Sequence, residues 1–466
     1  MQQNRRRFVR SLAGGVVSVS LLGSVQTATA DDRLLWEFET GSRVSNPQTI
    51  ADGTVYFQSD ELYAVNASSG DEEWRFEETT PNGPPTVADG TVFFGTSFDG
   101  VYALDADTGE ERWDEPFETE GRVSGAPLVV DGVVFVGGGQ NNEFVVALDA
   151  DSGELYWEFE AGDEVNTSPM VADGTVFFGC DDHHVYAVDA TNGEERWTFE
   201  TDERVRSSPA VVDDTVYFGS DDTFVYAVDV TDGEERWSFD TGDYIEGFGD
   251  AVDASPTIVD GTLYIGTDQF NLYALDADSG DHIWHYETGS DVRSPTVADG
   301  TVFVGSWDEN LYALDADSGE ELWTFTGDAP VSTPAVADGT VFVGSNDEFL
   351  YALNADVDAA ESGSRLWDGT LGHTDEWRHA DQSIDIETGS NGTDTDEDES
   401  DGETDPEEAG TDDTDGTDDT DGADDETTGG DDGLPGFGVG AGITAIGSLS
   451  YFLKRRYTGN QMQPEE

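Results

Sequence analysis

From residue 34 to residue 367, short apolar runs alternate with polar turn segments, and the alternation recurs about every 40 residues. The clearest copy runs Ser294-Pro295-Thr296-Val297, Asp299-Gly300-Thr301-Val302-Phe303-Val304-Gly305-Ser306, Leu311-Tyr312-Ala313-Leu314-Asp315 and Gly319-Glu320-Glu321-Leu322-Trp323-Thr324-Phe325. Runs this short, rich in β-branched and aromatic residues, predict strands, four to a copy. Each copy opens on a proline (Pro47, Pro85, Pro127, Pro169, Pro209, Pro256, Pro295, Pro334), which suits a sheet edge where the missing N–H does no harm. Asp-Gly follows in seven copies, as at Asp299-Gly300, and predicts a tight hairpin turn with positive φ; Asp213-Asp214 is the departure.

Four strands in each of eight copies predict an all-β fold, an eight-bladed β-propeller of four-stranded antiparallel blades. Each fourth strand carries a tryptophan: Trp36, Trp74, Trp113, Trp157, Trp197, Trp237, Trp284, Trp323 and, further on, Trp367. That is nine tryptophan strands for eight three-stranded cores. The strand around Trp36 is expected to complete the last blade and close the ring, with Trp367 in an appended segment; the reverse assignment stays open.

Charge adds a second constraint. The 466 residues hold 103 Asp and Glu against 19 Lys and Arg, a net charge of −84, and the sole lysine is Lys454. A chain without a basic surface does not hold nucleic acid through its phosphates. Self-repulsion on this scale destabilises a compact domain in dilute buffer, and concentrated salt screens it, so the composition reads as an adaptation to high salt. The acids also mark domain limits. Residues 391–433, acidic and rich in Thr and Gly, are expected to be a disordered linker after a propeller at 31–370 and an appended segment at 371–390.

Both ends read as addresses. Residues 1–30 have the charged, apolar and small-residue regions of an export signal, and Arg5, Arg6 and Phe8 give it a resemblance to the twin-arginine signal. Residues 434–456 hold an uncharged apolar stretch followed by Lys454-Arg455-Arg456, and 457–466 are a short tail. Pro435, Gly436 and Phe437 at the head of the stretch resemble the PGF-type sorting signal of archaeal surface proteins, a resemblance that implies cleavage and a lipid anchor. A permanent single-pass helix is the other reading. Both place the propeller outside the cell, on the outer face of the cytoplasmic membrane.

Ala313-Leu314-Asp315-Ala316-Asp317-Ser318-Gly319-Glu320-Glu321-Leu322-Trp323 resembles the tryptophan-docking motif of the PQQ-type (quinoprotein) propeller repeat, and near copies end at six of the other tryptophans. The resemblance implies structural, interblade tryptophans. It also implies membership of a group containing quinone-dependent dehydrogenases and BamB-like non-catalytic scaffolds. The dehydrogenase pattern calls for adjacent cysteines, a calcium held by Glu, Asn and Asp, and a catalytic Asp; here Cys180 stands alone. No cofactor or metal is therefore expected, either at Cys180-Asp181-Asp182-His183-His184 or at the Asp-x-Asp-x-Gly turns, which read as local caps.

The expected binding surface is the face carrying the turns between second and third strands. Its candidates are Phe98, Trp307 and Asp308, within a ring that includes Asp60, Asp99, Asp182, Asp222, Asp268 and Asp347, together with Tyr244, Ile245 and Phe248 on the longest interblade link. Plain loop packing accounts equally for that link. The function expected is a cell-surface-anchored, non-enzymatic scaffold that binds a protein or glycan partner; the alternative is a PQQ-dependent or other quinoprotein oxidoreductase.

Overall fold

A computed structural model of the chain describes residues 33–119, 121–139, 143–242 and 251–357. They form eight antiparallel sheets arranged as an eight-bladed β-propeller. Blade 7 shows how the sequence builds a unit: strands Thr296–Ala298, Thr301–Gly305, Asn310–Asp315 and Glu321–Thr326 pair in that order. Asp299 and Gly300 between the first two have φ of 44° and 70°, the paired positive values that a two-residue turn of matching twist needs. The second strand is buried along its whole length, whereas the outer one alternates and turns Trp323 and Phe325 inward. The prolines lie immediately before the inner strands. Pro47 is the exception, because Gln48 stands between it and Thr49.

Blade 2 has three regular strands, and its fourth position is filled by an irregular segment bridged at Leu104 to Glu111 and Val101 to Phe117. Blade 8 takes its fourth strand from the other end of the chain. Leu34–Glu39 pairs antiparallel with Phe349–Asn354, placing Trp36 opposite Ala352. The Trp36 strand thus closes the ring, and Trp367 lies outside the described residues, as do 1–32 and 358–466.

Hydrophobic clusters straddle neighbouring blades: Leu272, Ala274 and Trp284 of blade 6 pack with Val297, Val302 and Leu314 of blade 7. The tryptophan contributes more than area. Trp284 Nε1 donates to the Ala316 carbonyl at 2.9 Å, and its ring covers Gly319 of the next blade. The same bond joins Trp36 to Ala67, Trp74 to Ala106, Trp113 to Ala150, Trp157 to Ala190, Trp197 to Val230 and Trp237 to Ala277, all at 2.8 to 3.0 Å. Three of these carbonyls accept a second bond from a tyrosine, as Ala316 does from Tyr264. At Trp323 the arrangement changes. No glycine follows Asn354 and Ala355; instead the Arg33 guanidinium lies 4.4 Å from the Trp323 ring centroid and pairs with Asp356 at 2.8 Å. Arg33 thereby fills at the seam the place that glycine leaves to the indole elsewhere.

Two glycines of blade 7 separate backbone strain from dock. Gly319 (φ 71°) would place a Cβ 2.7 Å from the Trp284 ring, whereas Gly300 (φ 70°) has nothing within 4 Å. Gly300→Ala should cost about 1–2 kcal/mol, the left-handed backbone penalty alone. Gly319→Ala should cost clearly more, and Trp284→Ala about 3–5 kcal/mol through lost core packing. Denaturant unfolding of the three variants checks the order; equal losses at the two glycines would show that the dock contributes nothing.

Candidate functional site

Around the central channel the blades are tied by the residues that lead into their inner strands. Three serines just before proline turn N–H groups that a ladder does not use toward the next blade's hydroxyl. Ser168 N–H donates to Ser208 Oγ (2.9 Å), Ser208 N–H to Ser255 Oγ (3.1 Å) and Ser255 N–H to Ser294 Oγ (2.9 Å). This belt fixes the channel wall on which the site is built.

The turns between second and third strands project beside the belt, and their adjacent residues do different work. Asp182, Asp222, Asp308 and Asp347 are clamps: each accepts the hydroxyl of the tyrosine four residues on, Tyr186, Tyr226, Tyr312 and Tyr351, at 2.6 to 2.8 Å. Each also accepts a backbone N–H from the link entering its blade, as Asp308 does from Gly289 at 2.6 Å. The residues one position earlier, Asp181, Asp221, Trp307 and Asn346, and Asp268 at the equivalent place in blade 6, meet the leads to the inner strands.

The charges divide across the mouth. On the side of blades 4 to 6, buried Asp181 accepts from Arg206, at 3.1 and 3.3 Å from Nε and 2.8 Å from a terminal nitrogen. Asp221 has a buried Oδ1 with no hydrogen-bond partner among the described residues. Burial pushes its carboxyl up to about 6, Arg206 opposing and the Asp253 and Asp181 charges adding. Asp268 is raised further, to about 8, by burial first and then by the charges of Asp253 and Asp291, against Arg293. On the side of blades 7, 8 and 1 lies a cavity of about 410 Å³ lined by Arg43, Ser45, Asn46, Asp253, Arg293, Trp307, Ser332 and Asn346 among others. These residues belong to blades 6, 7, 8 and 1, and leads from four successive blades converge only near the ring axis. The Arg293 guanidinium lies 4.7 Å from the Trp307 ring centroid, and the indole stays 46% exposed.

Of the residues singled out in the sequence, Trp307 enters this cavity, Asp308 is a clamp, and Phe98 is 78% exposed on the blade 2 turn. Tyr244, Ile245 and Phe248 lie outside the described residues, as do Arg5, Arg6 and Phe8 and Pro435, Gly436 and Phe437. The Asp-x-Asp-x-Gly turns cap themselves: Asp315 Oδ1 accepts the Ser318 N–H at 2.9 Å, and its hydrogen bonds from Ser318 hold the carboxyl below its usual range.

The family described as "Outer membrane protein assembly factor BamB" matches residues 9–84, 58–144, 101–269 and 270–388. The chain belongs to this BamB-like family. No curated protein matches its sequence. Among solved structures, BamB from Moraxella catarrhalis superposes with a TM-score of 0.57 at 18% identity, over 69% of this chain and 99% of its own. The computationally designed Ika8 protein gives 0.61 at 15%, over 69% and 99%. Quinohemoprotein alcohol dehydrogenase from Comamonas testosteroni gives 0.58 at 17%, over 74% and 80%. At these identities the likeness is one of fold, and both catalytic and non-catalytic relatives share it.

The BamB-like chain does not assemble the donor set of the quinone enzymes among its described residues. Cys180 is fully buried, its thiol donates to the Asp163 carbonyl at 3.2 Å, and burial pushes it up to about 12, so it stays a neutral thiol. No group of three or more His, Cys, Asp or Glu side chains among the described residues is placed to hold a metal ion. These side chains do not fit a quinone stacked on a disulfide beside calcium.

The raised carboxyls make a pH prediction. A carboxyl raised from 3.8 to about 6 at Asp221, or to about 8 at Asp268, binds more proton in the folded than in the unfolded state. Stability contributed by the protonated forms is present at low pH and lost as pH rises through the folded values. Asp268→Asn should therefore raise Tm at pH 8.5 by roughly 2 °C or more and change it little at pH 4.5. An equal shift at both values, measured by calorimetry in constant salt, would contradict this.

Proposed function

We propose that this BamB-like propeller is a non-enzymatic scaffold, anchored at the cell surface and adapted to concentrated salt, that binds an envelope partner at the mouth of its channel. The cavity there carries the reading, because it combines two arginines that form no ion pair among the described residues, an exposed indole and polar side chains on a rigid ring. Such convergence of a few polar groups in a concave site is what ligand recognition needs. The competing oxidoreductase reading requires a cysteine pair and a metal set that the described residues do not assemble. Export through the twin-arginine route and retention through residues 434–456 belong to the proposal, as does membrane association by lipid or helix.

Protein purified from its own envelope in high salt tests it. The expected outcome is capture of an envelope component together with no quinone by absorbance or by mass analysis of an acid extract. A stoichiometric quinone, or substrate-dependent dye reduction by the purified protein, would overturn the scaffold reading in favour of the oxidoreductase.

A further inference from the structure

Cations are scarce in this chain, so their placement is informative. Among the described residues eight of the ten arginines form ion pairs with carboxylates. Arg43 and Arg293 form none there, and both line the cavity at the channel mouth. With 103 acids to 19 bases in the sequence, two unclaimed arginines in one cavity are the reverse of what general surface charge would produce.

We propose that this cavity binds a uronate residue of an acidic glycan, its carboxylate received by Arg43 and Arg293 and its sugar ring by Trp307. The inference rests on the scaffold reading and names its partner class. The Arg293 guanidinium carbon lies over the Trp307 ring, 4.7 Å from its centroid, and among the described residues Arg293 forms no ion pair. A planar fork held in this way matches a carboxylate with two parallel bonds. The exposed part of the indole offers an apolar platform for the C–H face of a sugar, and the amides of Asn46 and Asn346 stand nearby for hydroxyls. A volume of about 410 Å³ lies within the range of small-molecule sites.

Neighbouring acids select among anions. Asp253 lines the cavity, and Asp268 and Asp291 act on Arg293 from blade 6 and the link after it. The raised Asp268 carboxyl holds its proton near neutrality, which removes one of these charges. A dense run of carboxylates would meet the rest, and an acidic peptide has no sugar face for Trp307. A glycan with one carboxylate per ring suits both features.

Titration calorimetry of the full chain in the salt that keeps it folded tests the assignment, with tetragalacturonate, its methyl ester and hexaglutamate as probes. Tetragalacturonate should bind, and the ester and the peptide should bind at least tenfold more weakly. Arg43→Gln, Arg293→Gln and Trp307→Ala should each weaken tetragalacturonate by roughly tenfold. Tm should stay unchanged for Arg43→Gln, which forms no ion pair among the described residues, and fall for Arg293→Gln, whose charge offsets the buried Asp268 and Asp291. The proposal is overturned if tetragalacturonate does not bind, if the ester or hexaglutamate binds equally, or if the three substitutions leave affinity unchanged. Envelope capture by the Arg43→Gln, Arg293→Gln double variant separates this failure from that of the scaffold reading. Capture retained at wild-type level overturns the glycan assignment alone.

Discussion

Everything in this ring depends on an indole laid over a glycine of the next blade. The contact needs a residue without a side chain, because a Cβ at Gly70, Gly153 or Gly280 would fall within 2.8 Å of the tryptophan before it. It also needs a carbonyl in the same turn to accept the indole N–H, or that polar group would be buried at a cost. The turn supplies both. A blade alone exposes two hydrophobic faces, so this repeated dock converts eight unstable sheets into one structure, and the seam is where it is most exposed to failure. There the chain spends one of its few arginines, Arg33, on the Trp323 ring.

The same economy governs the channel mouth. Where blades 4 and 5 meet, Arg206 neutralises Asp181, which is 6% exposed and would otherwise be a buried charge. Exposed pairs such as Arg196 with Asp189 at 2.7 Å contribute little individually but brace the turns that hold the docks. Asp221 and Asp268 receive less compensation and shift toward their neutral forms instead. Against this background Arg43 and Arg293 are distinguished by forming no ion pair among the described residues, and both line the cavity at the mouth.

The fold was legible because its signals are local. Asp299-Gly300 announces a turn, Trp323 announces an outer strand, and their spacing announces the repeat. Counting showed one tryptophan strand too many and favoured the Trp36 strand for closure without excluding Trp367, because nothing near Trp36 names its partner, Phe349–Asn354. The site was legible only in part. The candidate ring mixed two registers: contacts of Asp182, Asp222, Asp308 and Asp347 hold turns together, whereas Asp268 and Trp307, also drawn in it, meet the channel with Asp181, Asp221 and Asn346, which it left out. A shift of one residue exchanges the two faces, and sequence alone gives no reason to prefer either. Trp307 was recognised as a large apolar residue in a turn. Arg43 and Arg293 were not, since they lie 250 positions apart, on links that no motif marks, and only ring closure brings them together.

The central claim is that a rigid, docked ring presents one binding cavity at its axis. Hydrogen exchange with and without tetragalacturonate measures this directly. The account predicts added protection confined to the leads around residues 43–48, 292–294 and 331–333 and to the turn at 306–310, with the outer strands unchanged. Protection gained on outer strands, or spread evenly around the ring, would contradict it.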